Sequence, residues 1–298
     1  MILPTLRQLR FLTALAEEGS FSRAAEACLV TQPTLSAAIK EVEALLGVQL
    51  VEREARGARL TRAGEAAVER ARRILSEAED LVAAARQAGA PLTGLFRLGA
   101  IPTIAPFLLP DALRALREEH PDLKFYLRED QTVRLLDALR ARTLDAALIA
   151  LPWEAQGIDA LPLADDEFLF VGPPDHPLSN KSDLEPVDLA SADLLLLEDG
   201  HCLRGHAISI CNLPAARERT DVAATSLQTL VHMVAGGLGV SMVPKLAADA
   251  GVAAGADVTL RPFAPPIVGR SIGVAWRAGS PREEEARMIG EVVKRVLA

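Results

Sequence analysis

The chain has 298 residues, 50% of them apolar and 24% charged, and carries a net charge of −8. That length exceeds what one core usually fills, so two or three domains are expected, while apolar runs such as residues 194–197 fall far short of the roughly 18 residues that a membrane span needs. Arg7 and Arg10 interrupt the first apolar pattern and Glu17 and Glu18 follow it, unlike a secretory leader, so a cytoplasmic setting is expected, where three cysteines argue against a structural disulfide framework. Residues 1–90 hold 12 Lys and Arg against 12 Asp and Glu, which places all the net acidity in residues 91–298. A neutral first part softens the objection that an anionic chain raises against binding a polyanion.

From the N-terminus, Leu6, Leu9, Leu12, Leu15 and Ala16 recur at helical spacing and stop at Gly19, which suits a left-handed cap. Ser20 reads as the N-cap of a short second helix through Phe21, Ala24, Ala25 and Ala27. A turn at residues 28–30, with Cys28 read as core, leads to Thr31, a further N-cap, with Pro33 tolerated in the first turn of a third helix. Its stripe is Leu35, Ala38, Ile39, Val42, Leu45 and Leu46, and Gly47 ends it. Helix, tight turn and helix of this size make a DNA-binding motif whose second helix enters the major groove. Thr31, Gln32, Pro33, Thr34, Ser36, Ala37 and Lys40 lie off the stripe or at the helix start, and are the candidate contacts to base edges and phosphates.

Residues 48–51 read as a strand, residues 53–59 as a basic turn around Gly57, and Leu60 and Thr61 as a return. The expectation is a two-stranded wing with Arg53, Arg56 and Arg59 directed at phosphate or the minor groove; the plainer alternative is a helical bundle with a solvated hairpin. Residues 62–88 then read as one helix about 40 Å long. Ala67, Ala71, Ile74, Ala78, Leu81 and Ala85 form a heptad seam, broadened by Val68, Leu75 and Val82. Such a seam needs a partner helix, most simply the same helix of a second subunit.

The stretch Phe11-Leu12-Thr13-Ala14-Leu15-Ala16-Glu17-Glu18-Gly19-Ser20-Phe21, then Ala24-Ala25, Thr31-Gln32-Pro33-Thr34-Leu35-Ser36 and Leu60-Thr61-Arg62-Ala63-Gly64, resembles the head of a LysR-type regulator. The resemblance implies a mainly α winged helix-turn-helix (residues 1–61), a dimerising linker helix (62–90) and an α/β regulatory domain (91–298) with the fold of a periplasmic binding protein. Residues 91–164 and 268–298 would form subdomain I, and residues 165–267 subdomain II. At Ala37-Ala38 the sequence departs from many members of the family, which carry Arg or Gln there.

In the regulatory part, residues 94–100 read as a strand, Pro102 and Thr103 open a helix through Phe107, Leu108, Leu113 and Leu116, residues 123–127 form a strand, 135–139 a helix and 146–149 an apolar strand. The alternation indicates a mainly parallel sheet, whose ligands sit at strand carboxyl ends. Thr103 and Ser226 occupy such strand-to-helix positions, where either serves equally as an ordinary N-cap. Residues 262–266 are the expected hinge crossing, residues 271–275 a returning strand and 282–297 a final helix.

Cys202 is flanked by His201, Arg204 and His206, with Cys211 nine residues on. Cationic neighbours raise the thiolate fraction of a cysteine, the form that attacks an O–O bond, and the sulfenic acid product condenses with a second thiol. A helix over residues 202–211 would hold the two sulfurs on opposite faces and more than 10 Å apart by its rise, too far for a disulfide without refolding. On the residues alone three readings stay open: a redox switch, inert core cysteines, and a metal site from His201, Cys202, His206 and Cys211, although that spacing lacks a zinc signature.

The runs Leu197-Glu198-Asp199-Gly200-His201-Cys202-Leu203-Arg204, Ala224-Thr225-Ser226-Leu227-Gln228-Thr229-Leu230 and Ile101-Pro102-Thr103 are similar to the peroxide-sensing branch of the family. The similarity implies that Cys202 reacts with hydrogen peroxide and Cys211 resolves it as a disulfide, with Thr103 and Thr132 placing peroxide and water and His201 beside the thiol. Arg204 and Ser226 complete the candidate site. The implied partners are double-stranded DNA, a second copy of the chain in a homodimer or homotetramer, hydrogen peroxide as signal, RNA polymerase and a thiol reductant, with no cofactor, metal or membrane. The competing functions are a regulator that answers to a small metabolite in the cleft between subdomains and a thiol peroxidase.

Overall fold

A computed structural model describes residues 3–54, 57–86, 91–153, 155–211 and 223–298, and the chain divides into two compact units: residues 1–89 with 141–143, and residues 90–140 with 144–298. In the first unit, α1 (Leu6–Glu18) opens with a capping box between Thr5 and Gln8 and ends at Gly19, which is left-handed (φ 60°). Helix α2 (Phe21–Ala27) starts after Ser20, whose backbone is extended but whose side chain makes no cap bond. Thr31 caps α3 (Gln32–Leu46) by accepting from the Thr34 amide. Phe11, Leu12, Leu15, Ala24, Ala25, Leu35, Ile39, Val42, Leu50, Val51 and Val68 make one core. Contrary to the sequence expectation, Leu45 and Leu46 are exposed, because the last turn of α3 runs past that core.

The hairpin is β1 (Val51–Glu54) against β2 (Gly57–Leu60), antiparallel, with Val51 opposite Leu60. The first strand therefore begins three residues later than residues 48–51 suggested. The physical reason is Glu43, whose Oε1 accepts from the Leu50 and Val51 amides at 2.8 and 3.1 Å and holds the approach to the strand out of any ladder. The hairpin is tied to α1 by the Ala58 amide, which donates to the Gly19 carbonyl. Helix α4 (Arg62–Arg86) follows Thr61, whose Oγ1 accepts from the Gly64 amide. Gly64 is required here, since a Cβ would lie 2.0 Å from the Leu50 carbonyl oxygen. Val68 joins the core of this unit, while Ile74, Leu81 and Val82 of the seam are exposed and Ala85 lies among side chains outside the description.

The second unit is built on a seven-stranded sheet. In chain order its elements are β3 (Gly94–Ala100), α5 (Ala105–Glu119), β4 (Leu123–Glu129), α6 (Thr132–Arg140), β5 (Ala146–Leu151) and β6 (Ile158–Gly172), then β7 (Leu196–Leu197), α7 (Cys202–Ile210), β8 (Ala223–Ala224), α8 (Leu227–Ala235), β9 (Ser241–Pro244), α9 (Lys245–Asp249), β10 (Thr259–Pro262), β11 (Gly269–Arg277) and α10 (Glu283–Leu297). The order across the sheet is β10-β6-β11-β5-β3-β4, with β9 also on β6. This corrects the mainly parallel expectation. Among the described strands β3 with β4 and β5, and the separate pair β7 and β8, are parallel, as is the isolated bridge between Leu194 and Val240, whereas β6, β9, β10 and β11 pair antiparallel. The cause is β6, a single 15-residue strand with β11 along its first part and β9 and β10 along its second.

Two hydrophobic cores flank that strand. One joins Phe96, Leu98, Leu135, Leu148, Trp276 and Ile289 and reaches Leu163, and the other starts at Phe168 and gathers Phe170, Leu196, Leu203, Cys211, Leu230 and Phe263. Helix α5 begins at Ala105 rather than at Pro102 and Thr103, because the Ile101 carbonyl accepts from both Ile104 and Ala105 and closes a turn first. Among the described residues no helix is long and apolar enough to cross a membrane.

Candidate functional site

Four chain segments converge at the start of α7. The parallel pair β7 and β8 sends its carboxyl ends into α7 and α8, and the Glu198 amide bonds the Ala224 carbonyl beyond the last ladder pair. Gly200 then turns with φ 92°, and a Cβ there would meet the Gln131 side chain at 2.5 Å; the Gln131 amide donates to the Asp199 carbonyl at 3.1 Å. The loop before Cys202 is therefore fixed against the start of α6. Arg204 holds it from the other side, with Nε 2.8 Å from Asp199 Oδ1 and Nη1 donating to the Leu197 carbonyl.

Cys202 is the first residue of α7, where unpaired backbone N–H groups favour an anion. It is half-buried and packs against the first core, while Cys211, at the C-cap, is fully buried in the second. Nine residues of helix separate them by about 14 Å along the axis and half a turn around it. Both thiols are free. Burial pushes the Cys211 thiol up to about 11.

Thr103 is buried and is not an N-cap. Its Oγ1 accepts from Arg270 Nη1 at 2.6 Å, and its carbonyl accepts from Nη2 at 2.9 Å. Arg270, on β11, has a fully buried side chain neutralised by Asp166 of β6, Nε to Oδ2 at 3.0 Å, and Asp166 Oδ1 accepts from the Leu246 amide. With both acceptor roles toward Arg270 taken, the Thr103 hydroxyl proton is free to point elsewhere. Thr132, the first residue of α6, is buried with its Oγ1 lacking a hydrogen-bond partner among the described residues, as does His206 Nδ1 on α7.

The histidines differ from the sequence expectation. Burial pushes His201 below the ordinary imidazole range against the opposing pull of Glu198 and Glu129, and burial together with the positive charge of Arg270 does the same to His206. Neither is a standing cation near neutrality. Of the three expected cationic neighbours only Arg204 keeps its charge, and that is spent on Asp199. Ser226 serves as the N-cap of α8, accepting from the Thr229 amide at 3.2 Å and bonding the Thr229 hydroxyl. Among the described residues no cluster of His, Cys, Asp or Glu is gathered to hold a metal ion.

Arg270 and Asp166 carry no sequence signal. They stand 167 and 63 residues from Thr103 and look like ordinary charges beside strands; only pairing of β6 with β11 brings them together.

On the first unit, Gln32, Pro33, Thr34, Ala37 and Lys40 form an exposed face at the start of α3, with Ser36 half-buried beside them. The hydroxyls of Thr31 and Thr34 bond each other at 2.8 Å. Arg59 on β2 pairs with Glu52 across the hairpin at 2.9 Å. The Arg53 side chain and all of Arg56 lie outside the described residues.

Two family models match the chain: bacterial regulatory helix-turn-helix protein, lysR family, over residues 6–65, and LysR substrate binding domain over residues 89–298. A probable hydrogen peroxide-inducible genes activator of Mycobacterium avium is 42% identical over 97% of this chain and 94% of that protein. A full-length OxyR variant from Pseudomonas aeruginosa superposes with a TM-score of 0.79 at 37% identity, covering 99% of this chain and 96% of that one. A hydrogen peroxide-bound Corynebacterium glutamicum OxyR mutant superposes with a TM-score of 0.69 at 38% identity, covering 99% and 93%.

Proposed function

The chain belongs to the LysR family of bacterial regulatory helix-turn-helix proteins, in its OxyR branch, and from that premise we propose that it is a DNA-binding transcription regulator switched by hydrogen peroxide through Cys202 and Cys211. Peroxide oxidises the Cys202 thiol to a sulfenic acid and leaves as water; the Cys211 thiol then displaces a second water and closes the disulfide. The observation that carries this reading is the pair of free thiols at opposite ends of α7, each in a different core. A bond between them cannot form while α7 is intact, so oxidation must unwind it and detach Cys211 from the second core. A chemical event at two atoms thereby becomes a change of packing in the regulatory unit.

Thr103 and Thr132 place peroxide by their hydroxyls at the carboxyl ends of β3 and β4, and His201 lies beside the thiol as a neutral group. Arg204 fixes the loop through Asp199. Ser226 contributes by anchoring α8 behind β8, the strand paired with the β7 that leads into α7. Gln32, Thr34, Ser36 and Lys40 read the major groove, with Thr31 and Pro33 setting the helix start, and Arg53, Arg56 and Arg59 follow phosphates from the hairpin. The exposed Ile74, Leu81 and Val82 of α4 pair with the same helix of a second copy. The protein consumes peroxide as a signal, one turn per disulfide, with a thiol reductant restoring it and RNA polymerase as the downstream partner.

Mass mapping after one equivalent of hydrogen peroxide tests the reading. The expected result is a Cys202–Cys211 disulfide in the parent chain and a sulfenic acid at Cys202 in Cys211→Ser. An unmodified Cys202 would leave the regulator answering to a different signal.

A further inference from the structure

The group on α7 that the scheme above does not use is His206. It lies one helical turn beyond Cys202, so the two side chains share a face with Cβ atoms about 5–6 Å apart. Side chains on a helix lean toward its N-terminus, which aims the imidazole back at the thiol. The ring rests on Phe168 of β6, with centroids 5.8 Å apart, and its Nδ1 is buried without a hydrogen-bond partner among the described residues. A buried polar atom left without a partner is costly, and the tilted contact with Phe168 holds that side of the ring away from water. The charge that faces it from the neighbouring strands is Arg270 of β11, whose counter-ion is Asp166 of β6; on its own helix the i to i+4 spacing puts Cys202 on the same face. With Arg270 nearby and burial around it, His206 stays neutral at neutral pH and keeps a lone pair.

We propose that His206 carries the proton in the reaction of Cys202 with a hydroperoxide. The inference rests on the reading of Cys202 as the peroxide target. The imidazole takes the thiol proton as sulfur attacks the nearer peroxide oxygen; the S–O bond forms, the O–O bond breaks and its electron pair leaves on the farther oxygen. The imidazolium returns the proton to that oxygen, which departs as water. Sulfur is oxidised by two electrons, the peroxide is reduced by two, and His206 ends as it began. Arg270 favours the return step, because it repels the imidazolium while the Thr103 hydroxyl, held by Arg270 Nη1, keeps its own proton available to the leaving oxygen.

The test uses the full chain carrying Cys211→Ser, so that the first step is read alone, with stopped-flow rates of sulfenic acid formation by hydrogen peroxide between pH 5 and 8. In the parent the rate is expected to fall as pH drops through a group titrating below about 6.5, where His206 gains its proton and loses its lone pair. In His206→Gln that inflection disappears and the rate at pH 7.5 falls by at least about tenfold. Alkylation by iodoacetamide supplies the readout that a packing role would not separate: iodide needs no proton to leave, so the ratio of peroxide to iodoacetamide reactivity drops in His206→Gln. Equal rates, profiles and ratios in the two chains would overturn the proposal. Should His206→Gln not fold, the parent profile decides, and a profile without the inflection overturns it. A parent Cys202 that peroxide does not oxidise at all refutes the earlier reading instead, which distinguishes the two failures.

Discussion

At the scale of single residues, Cys211 and Arg270 show how burial controls this site. The Cys211 thiol is pushed up to about 11 by loss of solvent alone, so at neutral pH it is a protonated, closed-off group. Iodoacetamide at pH 7.5 is expected to label Cys202 while sparing Cys211, with Cys211 labelling rising as urea releases α7; mass mapping of the two peptides checks it. The same shift is a linkage statement. A thiol whose folded pKa is raised stabilises the fold fully below its unfolded value near 9 and loses that stability as pH rises toward 11, on the order of 2–3 kcal/mol. Replacing Cys211 by Ala should flatten the alkaline limb of a urea-denaturation series. Arg270 with Asp166 is the opposite case, a fully buried ion pair whose lone survivor would be an uncompensated charge. Asp166→Ala is therefore expected to cost about 3–5 kcal/mol in denaturant titrations.

At the scale of elements, α7 is a short helix of low intrinsic stability. It has nine residues, with Gly205 in its middle and Ile208, Ser209 and Ile210 in its last turn, and only Leu203 and Ala207 within its bounds are buried. Such an element opens at small cost, which suits the unwinding proposed for a Cys202–Cys211 disulfide. Nothing lies within 4 Å of a Cβ placed on Gly205, so Gly205→Ala should strengthen the helix by about 0.5–1 kcal/mol. Disulfide closure after peroxide should then slow roughly two- to fivefold, while sulfenic acid formation in the Cys211→Ser background is unchanged. Gly64 gives the contrast: Gly64→Ala would drive a Cβ into the Leu50 carbonyl, and the head should lose stability rather than gain it.

At the scale of the whole molecule, charge and the proposed pairing along α4 bear on how the head binds. Its 12 basic and 12 acidic residues over 1–90 give little net attraction to a polyanion, and at least one wing arginine is engaged by Glu52. Two heads held together double the phosphate contacts and bind as one. Leu81, 72% exposed on α4, stands in the seam proposed to join them. Leu81→Glu is expected to shift the chain toward monomer in analytical ultracentrifugation, to weaken operator binding by at least about tenfold, and to lower the slope of affinity against salt.

The sequence by itself determined what local rules control. Gly19, Thr31 and Gly47 set the ends of α1 and α3 because caps are decided within four residues. The alternation from residue 94 onward marked strands and helices, and the resemblance carried by residues 11–36 and 197–204 named the family that the comparisons support. The nine-residue spacing of Cys202 and Cys211 set how far apart the thiols would lie if the segment were helical, and the structure supplied the helix. Tertiary structure alone decided that Ser226 caps α8 while Thr103 accepts from a buried arginine, since both look alike as strand-to-helix residues. It also turned the sheet mixed, because β6 continues through both cores where a pattern of alternating elements implies a parallel return. The electrostatics of His201 and His206 belong to it as well. Sequence lists them as cationic neighbours, but burial and Arg270, brought from 64 residues beyond His206 by strand pairing, leave them neutral.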